Sequence, residues 1–480
     1  MSFPIANNRQ KDPFRGLFVY GNMEQMRLTE PIRLLIKFFL FLTAFSPLVV
    51  LSNLPFPFVL GKILFFRGAI EIALILFLVY LILNFKNLQI KLPNLETYKL
   101  KNLKTFLFLF FISLIISTIF AVNPYRAFWG DLERGEGLFG FLHFFAFLIM
   151  SVAIFKKKDW LNFFKISLGV GFILIFYAFL QYFGVKNFPF LFISEERPIS
   201  FIGNPAFLAA HMFFVMISAI VVFFETPKQT LRVATGQAIK LTNLQTYKLI
   251  LWRYFSLLII PLSIATIFLT ATRGAIVGLV AGILFLLIYF AIKRSLIKEV
   301  QPLKRLNLRK LSIFLLILII ISSGFFWLTR DAAIWQKIPG LNRLAQTAAM
   351  DKSDASTQFR LMTWELSWNA FKEKPVFGWG LENYLTAYQK KYNPDYAIYG
   401  ESWMDRAHNK IFDLLVMQGI FGLLAYLGVL VVLVYKLLSE KNLQTYKLTN
   451  LQTYKPNLQT YKLTNLFIAS AIIGYFVQNL

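Results

Sequence analysis

The chain has 480 residues, of which 57% are apolar and 54 are Phe, and its mean hydropathy is +0.59. This composition excludes an ordinary soluble domain, which sits nearer 45–50% apolar. With 50 Lys and Arg against 24 Asp and Glu the net charge is +26. In a membrane protein such an excess orients loops and meets anionic lipid, so no nucleic-acid partner is expected. Cysteine is absent, which leaves no disulfide framework and no thiolate chemistry.

Runs of nearly uncharged residues, each long enough for a bilayer core, recur along the chain. They predict helical spans near 32–51, 58–85, 105–122, 137–155, 161–183, 205–224, 249–270, 274–292, 311–329 and 409–435. An eleventh run begins at 466. With only about fifteen apolar residues it reads as too short to span comfortably, as if the natural protein continued. The runs are continuously apolar and do not alternate, so the fold class is all-α, polytopic, with 10–11 transmembrane helices, not a barrel. The first run starts after about thirty residues and is followed by further spans, so it reads as an uncleaved insertion segment. Three segments follow: helices over 1–329, a large helical loop over 330–408, and C-terminal helices with a repeat-bearing loop over 409–480.

Lys and Arg in short loops set the orientation. With the N-terminus in the cytoplasm, the Lys-rich loops 86–104, 156–160, 225–248, 293–310 and 436–465 all fall inside. The sequence Asn-Leu-(Gln/Glu)-Thr-Tyr-Lys occurs at 94–99, 243–248, 442–447, 450–455 and 457–462, always in these inside loops. It reads as an expanded insertion tolerated at loop tips and carries no chemistry.

The outer loops hold Arg126, Arg134, Arg197, Arg273, Arg360, Arg406 and His408. In 123–136, Arg126 and Arg134 stand among Asp131, Glu133 and Glu136. In 184–204, Arg197 precedes Gly203-Asn204-Pro205, a turn in which Asn204 suits a helix cap and Pro205 a first helical position. The tight turn Thr270-Ala-Thr-Arg-Gly274 puts Thr272 at a cap and Arg273 at a helix N-terminus, where free N–H groups, the dipole and a guanidinium together suit phosphate. Gly274, Gly278 and Gly282 follow at four-residue spacing, which lets another helix approach closely.

In the long loop, residues 356–371 read as an amphipathic helix with Phe359, Met362, Leu366 and Trp368 on one side. It stops at Lys374-Pro375, and a second helix is expected near 381–392. The loop closes on Asp405-Arg-Ala-His408-Asn409. A neighbouring cation and partial burial both lower the pKa of His408, favouring the neutral imidazole a general base needs. His143 and His211 lie inside spans and read as packing residues, and Arg67 with Glu71 reads as an i,i+4 ion pair within a helix. No outer cluster of acids resembles a metal site and no Gly-rich nucleotide loop is present, so neither metal nor nucleotide cofactor is expected.

Four stretches together resemble the O-antigen ligase and polymerase superfamily over roughly residues 120–435. They are Arg-Pro…Gly-Asn-Pro-x-Phe-Leu-Ala at 197–209, Thr-Arg-Gly-Ala at 272–275, Lys-Pro-Val-Phe-Gly-Trp-Gly at 374–380, and Arg-Ala-His-Asn…Gly-Ile-Phe-Gly at 406–422. The resemblance implies a metal-independent glycosyltransferase of the cytoplasmic membrane. It would move a glycan from undecaprenyl diphosphate to an acceptor hydroxyl on lipid A core, growing polysaccharide or protein, at the outer face. It also implies catalytic roles for His408, as acceptor-activating base, and Arg273, as diphosphate holder, with Arg197 and Arg134 beside them. Arg126, Arg360, Arg406, Asn204 and Asn409 complete the expected substrate-binding set. A flippase or transporter of lipid-linked glycan, or a non-catalytic assembly protein, are the competing readings. A transporter would place charges near the midplane and show related halves, whereas here the charges gather at one edge.

Overall fold

The computed structural model describes residues 29–84, 101–185, 197–226, 244–293, 307–348, 355–394, 404–439 and 458–480. Among these the fold is all-α, and nine helices are long and apolar enough to cross a membrane. They are α1 (Thr29–Leu48, with a 3₁₀ last turn), α2 (Leu60–Leu83), α3 (Lys101–Ile119), α6 (Lys157–Tyr182), α7 (Pro205–Glu225), α8 (Leu244–Leu269), α9 (Arg273–Ile292), α10 (Leu308–Leu328) and α15 (Lys410–Leu438). Two further apolar helices, α5 (Leu138–Ile154) and α16 (Leu458–Gln478), complete the bundle. The short α4 (Pro124–Trp129), α11 (Ala333–Gln336), α12 (Leu341–Ala348) and α14 (Tyr384–Lys390), with the longer α13 (Ala355–Glu373), connect them at one end. The protein is a multi-pass membrane protein.

The helix of the eleventh apolar run begins earlier than expected, at Leu458, and has 21 residues, while its apolar part, Lys462–Gln478, stays shorter than the nine spans. It packs along α9 through small residues. A Cβ on Gly278 would meet the Gly474 carbonyl, one on Gly274 the Gln478 carbonyl, and one on Gly282 the Ser470 carbonyl. The glycine spacing lets two backbones meet where side chains would hold them apart. Ser470 Oγ donates to the Gly282 carbonyl at 2.9 Å across the same seam. The repeat copies at 243–248 and 457–462 run into the first turns of α8 and α16 instead of remaining in loops; those at 94–99, 442–447 and 450–455 lie outside the described residues.

Helix α15 is broken at Gly419, whose backbone (φ 64°, ψ −167°) is not helical. A break inside a span frees polar backbone groups that lipid cannot satisfy. The strap 375–380 takes them: Trp379 and Gly380 donate to the carbonyls of Val416 (2.8 Å) and Met417 (3.0 Å), and Ile420 donates to the Pro375 carbonyl (2.8 Å). Gly378 (φ 72°) lies against the Met417–Gln418 backbone, where no Cβ fits. The Lys-Pro-Val-Phe-Gly-Trp-Gly stretch and the glycine-bearing start of α15 thus form one joint.

Helix α13 stops at Glu373, as Lys374-Pro375 requires. Its buried face is Thr363, Leu366, Ser367 and Ala370 with Phe359 beside it, while Trp368 is 48% exposed and does not belong to that face. Arg67 and Glu71 interact through their charges but make no direct salt bridge with each other. Glu71 faces His143 Nε2 (3.1 Å) and Arg67 donates to the Gly135 carbonyl (2.8 Å), so each ties α2 to α5 or the loop before it.

Candidate active site

The loops joining α1 to α2, α3 to α5, α6 to α7, α8 to α9 and α10 to α15 meet at one end of the bundle around a cavity of about 660 Å3. Helix α9 begins there. Thr272 holds the N-cap position with an extended backbone, yet its side chain makes no cap hydrogen bond and turns to Thr270 Oγ1 (3.1 Å). Arg273 and Gly274, the first two helical residues, line the cavity beside it. Helix α7 begins there too, with Asn204 accepting from the amides of Ala206 (2.8 Å) and Phe207 (3.4 Å). Two helix N-termini, each positive at that end, therefore open on one space.

Local backbone geometry places the next arginines. Gln181 Oε1 accepts from the amides of Ile199 (3.0 Å) and Ser200 (2.7 Å), and Gly203 (φ 85°) packs where a Cβ would strike the Phe58 ring. That folds the segment after Arg197 back on α6 and presents Arg197 to the cavity. Gly340 (φ 82°) seats the start of α12 on Ile276 and the Phe268 carbonyl, and Leu344 packs into the main core. Arg343, one residue before Leu344, lines the cavity, as does Arg360 of α13. Arg343 also lines a smaller adjoining recess of about 420 Å3 with Arg197, Lys337 and Asn342.

The opposite wall is apolar: Phe56, Pro57, Phe58, Val59, Ile202 and Phe207. Lys62 braces it by donating to the carbonyls of Val49 (3.1 Å), Phe58 and Phe201 (2.7 Å), which clamps the α1–α2 loop to the α6–α7 loop. Phe56 and Phe207 are 46% and 49% exposed, so this wall offers hydrocarbon a surface.

His408 completes the lining. It is one of the non-glycine residues with positive φ (51°), a conformation that costs energy and holds only where neighbours over-determine it. Its pKa is lowered, chiefly because the cavity walls desolvate the imidazole; Arg134 and Arg360 add to the effect, while Asp413 and Asp405 oppose it. The cation expected from sequence was Arg406, but the ones that act are Arg134 and Arg360.

Of the residues selected from sequence, Arg134, Arg197, Asn204, Arg273, Arg360 and His408 share this cavity; Arg126, Arg406 and Asn409 do not. Arg126 is tied to Asp131. Asn409 caps α15, accepting from the Ile411 amide (3.0 Å), and donates to the Leu480 carbonyl (2.6 Å) at the end of α16. Arg406 is buried, 6% exposed, and donates to Glu382 (2.6 Å) and Glu136 (3.1 Å). Burial works against its charge, but these carboxylates overcome that and raise its pKa, so it is a fixed cation inside the protein. Arg134 does line the cavity while gripping Asp405 with two nitrogens, and that bond outweighs burial to raise its pKa. Sequence reading missed Arg343, Glu133, Glu136 and the apolar wall among the lining. The glycine before α12 was the available signal for Arg343; nothing local marked the wall, which comes from loops far apart in the chain. Among the described residues, no three His, Cys, Asp or Glu side chains are grouped to hold a metal ion.

Five arginines against two glutamates, two helix N-termini and one hydrocarbon wall give this membrane protein a cavity whose chemistry suits an amphiphile with an anionic head. Residues 255–427, from within α8 to within α15, match the family model described as O-Antigen ligase, which supports a relation to the O-antigen ligase and polymerase superfamily. The match includes Arg273, Arg343, Arg360 and His408, whereas Arg134, Arg197 and Asn204 precede it. Comparison with curated proteins gives no match.

Proposed function

We propose that the cavity binds undecaprenyl-diphosphate-linked glycan and transfers the glycan to an acceptor hydroxyl at the outer face of the cytoplasmic membrane. The observation that carries this reading is the meeting of Arg273, at the α9 N-terminus, with His408 and an apolar wall in one cavity. The polyprenyl chain lies against Phe56, Phe58 and Phe207, and the diphosphate lies on Arg273, Arg197 and Arg343. His408 accepts the proton of the acceptor hydroxyl as that oxygen bonds to the anomeric carbon. The bond from that carbon to the diphosphate oxygen breaks, and the electron pair leaves with the diphosphate. Guanidinium groups and helix N–H groups in a partly dry site stabilise the charge where it grows. The acceptor is lipid A core, a growing polysaccharide or a protein.

The test is a transfer assay with purified protein in liposomes, given lipid-diphosphate-linked oligosaccharide with and without candidate acceptors. A ladder of longer lipid-linked glycans, or loading of an added acceptor, is expected from the wild type and not from His408→Ala. Equal product from both proteins would remove His408 from the chemistry.

A further inference from the structure

The loop that carries His408 is held from behind by a buried acidic side chain that the transfer chemistry does not use. Asp413, in the first turn of α15, is 8% exposed. Its Oδ1 accepts from the Ala407 amide at 2.7 Å, immediately before the strained His408. The residues around it are clamped as well. Arg406 is fixed between Glu382 and Glu136, Asp405 is gripped by Arg134, and Trp364 Nε1 donates to the Ala407 carbonyl at 3.2 Å. Both polar groups of the Ala407 backbone are thus engaged, which is the over-determination a left-handed histidine requires.

Four charged groups act on His408 from the elements packed around it: Asp413 from α15, Arg134 from the α4–α5 loop, Arg360 from α13, and Asp405 from its own loop. Arg134 is committed to Asp405, and Arg360 lines the same cavity. After burial, which lowers the His408 pKa, Asp413 exerts the largest charge effect, and its direction favours the imidazolium. Burial works against the Asp413 charge, and the positive dipole at the start of α15, Arg406, Lys410 and the Ala407 amide are the groups that oppose burial and favour the carboxylate.

We propose that Asp413 is a positioning residue for His408. It pins the backbone that aims the imidazole into the cavity and supplies the negative charge that steadies the imidazolium once the acceptor proton has moved. The inference rests on the reading of His408 as acceptor base. A transfer base in a partly dry cavity gains a proton at the moment of reaction, and without a nearby anion that new charge is costly. The division of labour is simple: arginines meet the anion that forms on the diphosphate, and Asp413 meets the cation that forms on the histidine.

Asp413→Asn separates the two roles, since its amide oxygen still accepts from Ala407 while the charge is gone. The His408 pKa is read without any activity by the pH dependence of histidine carbethoxylation in liposomes. The chain has three histidines, and His143 and His211 lie within membrane spans, so His408 gives the accessible signal. The expected result is a fall in that pKa of at least about half a pH unit. Transfer should fall about tenfold or more, mainly in kcat, with the acid limb of its pH profile displaced downward. Asp413→Glu, which keeps the charge, should recover part of both. An unchanged carbethoxylation profile with unchanged transfer in Asp413→Asn would overturn the inference. Retention of transfer by His408→Ala would instead remove the reading on which it rests.

Discussion

Arg273 and Arg406 look alike along the chain, since each stands at the opening of a glycine-bearing apolar helix on the same side of the bilayer. In three dimensions they have opposite uses. Arg273 faces a cavity of about 660 Å3 beside the N–H groups of α9. Arg406 is enclosed by Glu382 and Glu136 behind the loop that carries His408. A guanidinium at a helix start is thus equipped for phosphate, but the carboxylates packed near it decide whether it meets ligand or protein.

The widest difference between the two should appear in stability. Arg406→Ala leaves Glu382, itself 3% exposed, as a buried charge without its main partner. That change is expected to cost about 3–5 kcal/mol, read as a lower melting temperature in detergent or loss of folded protein. An unshifted melting curve would mean that Arg406 is not structural. Arg273→Ala should do the reverse, melting like wild type but losing about 10²–10³ in kcat, the cost of removing one oxyanion-type donor.

The α9–α16 seam sharpens the comparison, because it supports Arg273 from behind. Gly278→Val would drive a side chain into the Gly474 carbonyl and should cost about 1–3 kcal/mol, with activity per folded molecule falling as the α9 N-terminus shifts. Full stability would show that the two helices do not pack this closely.

A smaller effect concerns pH. In the proposed role of base, His408 has to be neutral, and desolvation, with Arg134 and Arg360, holds its pKa below the ordinary histidine value of about 6.5. Activity should be level above that value and decline only as pH falls through the depressed pKa, because protonation then removes the base. A decline that sets in near pH 7 would contradict the assignment. The smallest effect is expected from Arg126→Ala. Its pair with Asp131 is partly exposed and outside the cavity, so stability should change by less than about 1 kcal/mol and transfer by less than about twofold. A large loss of transfer would move Arg126 into the site.

The spans were legible because twenty apolar residues in succession have few alternatives to a membrane helix, and most predicted bounds lie within about four residues of those observed. The start of α16 was not legible. Its first turns are built from the polar repeat Leu458-Gln-Thr-Tyr-Lys462, which carries no apolar signal of a span. The site divided in the same way. Arg273, Asn204 and His408 could be picked out because helix starts and loop ends have local signatures. Arg406 was misjudged because Glu136 is 270 residues away in sequence, and the tie exists only in the fold. Trp368 was misjudged for a related reason: amphipathic periodicity ranks apolar residues, whereas α13 buries Thr363 and Ser367 through hydrogen bonds to its own backbone and to Tyr384.

The central claim is that the basic end of this cavity holds a lipid-borne diphosphate. Binding of undecaprenyl-diphosphate-linked oligosaccharide to the protein in nanodiscs, compared among wild type, Arg126→Ala and Arg273→Ala, tests it most directly. The account requires Arg126→Ala to bind like wild type and Arg273→Ala to bind at least about tenfold more weakly, as loss of a charge-assisted contact of roughly 1.5–3 kcal/mol implies. Equal binding by all three proteins would contradict it.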